Sequence, residues 1–216
     1  MRNVSFVYKK SSQHIIKDFS LEIPSESLVR LTGPSGSGKT TFLELVGGII
    51  FPTKGNIKIG EADSKDIAKS RFSLFGYSFV DADFFENMSV RDNILMPASI
   101  MKVEIDMKWY QKLIGEIGLK KYENKLVGNL SAGQRERVNL VRSMIHKPKI
   151  LILDEPGSHL NTSLVGKIIQ IILDYQKQEK ATIFISSHQD LPKLQFTTSL
   201  SFYEDYTIST ETNPES

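Results

Sequence analysis

The sequence predicts an α/β fold. A parallel β-sheet core is covered by helices, an antiparallel β subdomain lies at the N-terminal end, and an α-helical subdomain is inserted at about 81–147. Three observations predict it. A continuous apolar run at 150–153 and a second buried strand at 181–186 flank an amphipathic stretch at 163–178, the strand–helix–strand order of buried parallel strands. The first residues alternate apolar and polar, as half-buried strands do. Between 81 and 147 the strand patterns vanish, and Trp109, Leu113, Ile114 and Ile117 fall at helical spacing.

Taken in order, residues 3–8 and 19–23 alternate and read as strands, with the polar stretch 9–14 as their turn. Leu28-Val29-Arg30-Leu31 is a short apolar strand that runs into a glycine-rich loop at 33–38. A helix follows from Lys39 to about Val46, stopped by Gly47-Gly48. Gly55-Asn56 introduces a strand at 57–59, residues 64–70 read as a short polar helix, and 73–80 as another strand. A helix is expected over 132–145, then the strand 150–153, the helix 163–178 and the strand 181–186. One domain over 1–208 with a flexible polar tail at 209–216 is the expected organisation, without internal repeats.

Composition narrows the function. The chain has 216 residues, 40% hydrophobic and 24% charged, with a formal net charge of +2, which fits one globular domain and excludes a disordered chain. With 14 glycines and 8 prolines it is neither collagen-like nor mucin-like. It has no cysteine, so disulfides, thiol nucleophiles, iron–sulfur clusters and cysteine-bound zinc are excluded. No stretch reaches the 18 or so apolar residues that span a bilayer, and the start lacks the apolar core of a signal peptide. The 27 basic and 25 acidic residues are interspersed, which argues against nucleic acid as a partner.

Gly33-Pro34-Ser35-Gly36-Ser37-Gly38-Lys39-Thr40 fits the phosphate-loop pattern G-x-x-x-x-G-K-[ST]. Glycines let the backbone curl so that successive N–H groups point at phosphate oxygens, and the helix that follows adds its positive dipole end. Lys39 then reaches the β- and γ-phosphates of a nucleoside triphosphate, the Thr40 hydroxyl suits Mg²⁺, and Thr41 completes the nucleotide contacts. Ile150-Leu151-Ile152-Leu153-Asp154-Glu155 places two carboxylates at the end of a buried strand, where ligands gather in parallel sheets. Asp154 suits Mg²⁺, and Glu155 suits a base that polarises the water attacking the γ-phosphate.

With these residues in order, Leu130-Ser131-Ala132-Gly133-Gln134 is similar to the LSGGQ signature of ABC transporter ATP-binding subunits. Arg137 and Arg142 follow at that family's spacing, and the resemblance spans about residues 3–208. Ser131 and Gln134 also form a capping box for the helix behind them, and a capped helix N-terminus is an anion site. The resemblance implies a P-loop NTPase fold of ABC type, ATP and Mg²⁺ as cofactors, and two nucleotides sandwiched between two such subunits, with Ser131, Gly133 and Gln134 facing the partner's ATP. It makes Tyr8 the aromatic that stacks on adenine and His188 the histidine at the γ-phosphate, beside Glu155 and Lys39. It makes residues 158–161 the loop that crosses the dimer interface.

Three positions depart from the family pattern. Val80 stands where a glutamine normally approaches Mg²⁺ and the attacking water, so slow or gated hydrolysis is expected, with a water or Asp81 filling the gap. Ala132 replaces a glycine, and Asn161 replaces an aspartate. The resemblance implies an ATPase that powers transport, in the direction of export, through separate multi-spanning permease subunits. It would sit on the inner face of the cell membrane as a homodimer or heterodimer. Force transmission or regulation of a membrane partner without transport is the alternative reading.

Overall fold

The computed structural model describes residues 1–9, 11–63, 71–188, 191 and 194–213. The expected polar helix at 64–70 lies outside the described residues.

The main sheet holds six strands: β3 (Leu28–Thr32), β7 (Phe75–Ser78), β8 (Ile150–Asp154), β9 (Thr182–Ser186), β10 (Thr198–Phe202) and β11 (Ile208–Thr212). Their spatial order is β11-β10-β3-β9-β8-β7, parallel except for the antiparallel edge pair β10–β11. The central strands are β-rich in apolar residues on both faces because both faces are covered. Val29, Leu31, Ile152 and Phe184 point to one side, where they meet Phe42, Leu43 and Leu45 of α1 (Lys39–Val46). Leu28, Leu151, Leu153, Ile183 and Ile185 point to the other. There they meet α5 (Ala132–Met144) and α6 (Thr162–Glu179), through Val138, Val141, Ile168, Ile172 and Tyr175. Truncating a central residue such as Ile152, which is fully buried, to alanine would cost about 2–5 kcal/mol.

A second, three-stranded sheet has the order β2-β1-β4, built from β1 (Arg2–Val7), β2 (His14–Phe19) and β4 (Lys54–Asn56). The strand pair β5 (Lys58–Ile59) and β6 (Ala62–Asp63) follows, then the short α2 (Arg71–Leu74). The helical insertion contains α3 (Val90–Met101), α4 (Met107–Glu116), two 3₁₀ turns and α5. Ser89 and Asp106 cap the first two helices by accepting backbone N–H groups. Trp109 anchors α4 to the end of α5, its indole N–H donating to the Met144 carbonyl at 3.2 Å.

The structure corrects three expectations. The second strand is His14–Phe19, not 19–23. Register shifts in the β1–β2 pair break the alternation in 14–19. Leu21 and Ile23 do turn toward the core, and Leu21 exchanges both backbone hydrogen bonds with Met1 at 3.0 and 2.7 Å, but that single pair does not make 20–23 a strand. The strand placed at 57–59 is shorter, Lys58–Ile59 of β5, and Ile57 separates it from β4, which ends at Asn56. Residues 209–212, expected in the flexible tail, form most of β11. That strand is polar because it is an exposed edge, held by backbone hydrogen bonds to β10 rather than by burial.

Candidate functional site

The carboxyl ends of β3, β9 and β8 lie side by side, and each continues into one piece of the site. From β3 comes the loop 33–38. Gly33, Gly36 and Gly38 have φ of 138°, 78° and 101°, the left-handed region that side chains avoid. A Cβ on Gly33 would also collide with the Phe202 carbonyl, and one on Gly38 would approach Ile15 to 2.9 Å. Ser37 is buried and donates to the Pro34 carbonyl at 2.8 Å. Lys39 folds back across the loop, its ammonium donating to the carbonyls of Gly33 and Pro34 at 2.8 Å each. Burial lowers its pKa, against the opposite pull of the Glu155 and Asp154 carboxylates. Ser35 and Gly36 stand at the exposed tip.

From β8 come the two acids. Asp154 is buried, accepts the Thr40 hydroxyl at 2.8 Å on one oxygen and the Ser186 hydroxyl on the other. Ser186 lies opposite Asp154 in the β8–β9 register, so its hydroxyl also receives the Glu155 N–H at 3.0 Å. Glu155 itself adopts φ 53°, left-handed, which turns its side chain away from the strand line. From β9 comes His188. Its N–H donates to Glu155 Oε2 at 3.2 Å, and its Nε2 stands 3.2 Å from Oε1. That contact lacks hydrogen-bond alignment, so Oε1 is shielded from solvent with no hydrogen-bond donor of its own. Tyr8, just past β1, reaches the same end: its hydroxyl shares a 2.9 Å hydrogen bond with that of Thr41, while its ring is 44% exposed.

Mg²⁺ fits these groups. Thr40, Asp154 and Glu155 offer only hard oxygen donors. Among the described residues no three acidic or histidine side chains form a self-sufficient metal cage. Mg²⁺ at nucleotide sites needs none, because one or two protein oxygens and the substrate phosphates suffice. Thr40 and Asp154 would hold the ion, which would supply neutralisation of the phosphate charge.

Ser131, Gly133 and Gln134 belong to a different part of the molecule. Ser131 caps α5 in a reciprocal box: its hydroxyl accepts the Gln134 N–H at 3.4 Å, and Gln134 Oε1 accepts the Ser131 N–H at 3.0 Å. Asn161 caps α6 by accepting the Leu164 N–H at 3.0 Å, a role an aspartate would also fill. Arg137 donates to the carbonyls of Gly133 at 3.1 Å and Ile117 at 2.7 Å, and Arg142 to that of Asp83 at 2.7 Å, so both arginines act inside the protomer. Val80 leaves 54% of its surface exposed. Sequence reasoning missed Ser186, Glu136 and Asn139. The first becomes legible only once the β8–β9 register is known, and the others only once the loops packed on α5 are known.

Comparison with known proteins agrees with this geometry. A profile of the ABC transporter family matches residues 16–158, which leaves Tyr8 and His188 outside the match. The lipoprotein-releasing system ATP-binding protein LolD of Buchnera aphidicola is 33% identical over 192 residues, 85% of this chain and 83% of its own. The spermidine/putrescine import ATP-binding protein PotA of Mycoplasma capricolum is 30% identical, over all of this chain and 61% of its own. Among solved structures, the dimeric post-hydrolysis state of the ATP-binding cassette MJ0796 with ADP and Pi superposes with a TM-score of 0.87. It shares 23% identity, over 98% of this chain and 97% of that one.

Proposed function

This chain belongs to the ABC transporter family of ATP-binding cassettes, and from that premise we propose how its residues hydrolyse ATP and what the hydrolysis drives. Lys39 and the N–H groups of the loop 33–38, with Thr41, hold the phosphates. Lys39 leaves its two loop carbonyls for phosphate oxygens, a stronger, charge-assisted pairing. Tyr8 stacks on the base from the open side of the loop. Thr40 and Asp154 hold Mg²⁺. Glu155 accepts a proton from the attacking water at Oε1, and His188 contacts the γ-phosphate while fixing the Glu155 carboxylate. One observation carries this reading: Glu155 Oε1 is buried with no aligned hydrogen-bond donor, one residue after Asp154, whose two oxygens each accept a hydroxyl. In this reading the attacking water donates to that oxygen.

The cassette works as a head-to-tail pair, with Ser131, Gly133 and Gln134 of each protomer on the ATP of the other. Support comes from the capped N-terminus of α5, an anion site whose residues make no contact with their own phosphate loop. The pair is a homodimer, and closure on ATP moves separate membrane-spanning chains at the inner face of the membrane. No helix among the described residues is long and apolar enough to cross a bilayer. Exposed apolar side chains on the insertion and the segment before it, Val80, Phe85, Ile100, Val103 and Met107, suit docking on such chains. The direction read here is export, by likeness to the lipoprotein-releasing subunit over most of both chains.

The test is ATP-driven dimerisation of Glu155→Gln, which binds ATP but lacks the base. Sedimentation should show a dimer with saturating ATP and Mg²⁺ and a monomer with ADP. A monomer in ATP would contradict the sandwich.

A further inference from the structure

Glu136 lies one turn into α5, near the residues expected to face the partner's ATP. Its carboxylate accepts the N–H of Gly157 on Oε1 and that of His159, at 3.0 Å, on Oε2. The His159 ring adds a contact of 3.4 Å between Nδ1 and Oε2. The same loop presses on Gly133: a Cβ there would approach the His159 carbonyl to 2.9 Å and Leu160 to 3.1 Å. Gly157 is held at φ 101°, and Glu155, two residues before it, at φ 53°. The loop is thus fixed at one end by the backbone turn that aims Glu155 and at the other by α5.

We propose that Glu136 is a positioning residue that couples the signature end of α5 to the aim of Glu155 in the same protomer. The inference rests on the sandwich reading: a partner's ATP docking on Ser131 and Gly133 shifts the first turn of α5. Glu136 then carries that shift through two backbone N–H groups into the loop that follows Glu155. Hydrolysis is thereby tied to closure. The chemistry calls for a carboxylate. Each of its two oxygens accepts from a different N–H, whereas a glutamine has one acceptor oxygen, and its amide would face an N–H donor.

Glu136→Gln keeps the shape and removes one bond, so it separates coupling from packing. We expect single-turnover ATP hydrolysis to fall about tenfold or more in this variant, the weight of one charge-assisted hydrogen bond. In the Glu155→Gln background, ATP-driven dimerisation should weaken about tenfold, the same lost bond read at the interface. Binding of a fluorescent ADP to the monomer should stay within about twofold, because Glu136 touches no part of its own phosphate loop. Hydrolysis and dimerisation at parental levels in Glu136→Gln would overturn the assignment, as would an equal loss of ADP binding. Parent Glu155→Gln that stays monomeric in ATP would instead overturn the sandwich itself.

Discussion

Two segments of this molecule each leave the end of a sheet strand for a functional position, and they are held in opposite ways. The loop 33–38 holds itself: three left-handed glycines set its path, Ser37 bonds Pro34, and Lys39 bonds two carbonyls of the same loop. Residues 79–86, after β7, are held by a distant helix. From α5, Arg135 pairs with Glu86 at 2.6 and 2.8 Å, and Asn139 donates to the Phe79 carbonyl at 2.8 Å. Arg142 donates to the Asp83 carbonyl and lies 4.5 Å over the Phe84 ring. The first arrangement gives a rigid cradle whose shape does not depend on partners. The second makes a segment carrying exposed apolar groups answer to the same helix that carries the signature residues.

Breaking the self-held loop should have the largest effect on the fold. Gly33→Ala adds a Cβ against the Phe202 carbonyl at a φ that alanine disfavours. Urea unfolding should show a loss of about 2–4 kcal/mol, from strain and overpacking together, with nucleotide binding lost as well. Breaking the helix-held segment should be milder and more local. Arg142→Ala removes a half-buried guanidinium and its bonds to Asp83 and Asn139. It should cost about 1–3 kcal/mol, with faster amide exchange at 79–86 and unchanged exchange at 33–40. Val80→Gln should sharpen the contrast without touching stability. The exposed valine makes no structural contribution that glutamine cannot match, and the polar group should raise kcat by about tenfold, less than a full general base supplies. No gain would count against slow hydrolysis as the consequence of Val80.

How much of this could be read from the sequence follows the same division. The loop 33–40 and the pair Asp154–Glu155 are local in sequence, and the β8–α6–β9 unit is strongly periodic; all were legible as motifs and spacing. Ser186 and Glu136 were not, since a serine at the end of an apolar strand and a glutamate in a polar helix turn carry no local sign of their partners. Their roles arise from strand register and from loops that meet only in the folded chain. The edge strand β11 escaped notice because its stability comes from backbone bonds, which side-chain patterning does not reveal. Tyr8 is expected to stack on adenine, and its hydroxyl bond to Thr41 has no local sign in the sequence.

In the proposed mechanism Glu155 is the base, and the other groups of the cassette only bind and align. The direct measurement is single-turnover release of phosphate from ATP with Mg²⁺, comparing the parent chain with Glu155→Gln at saturating nucleotide. A loss of about 100-fold or more, with nucleotide affinity retained, is the result expected of removing a positioned general base. Hydrolysis by Glu155→Gln at the parental rate would contradict it.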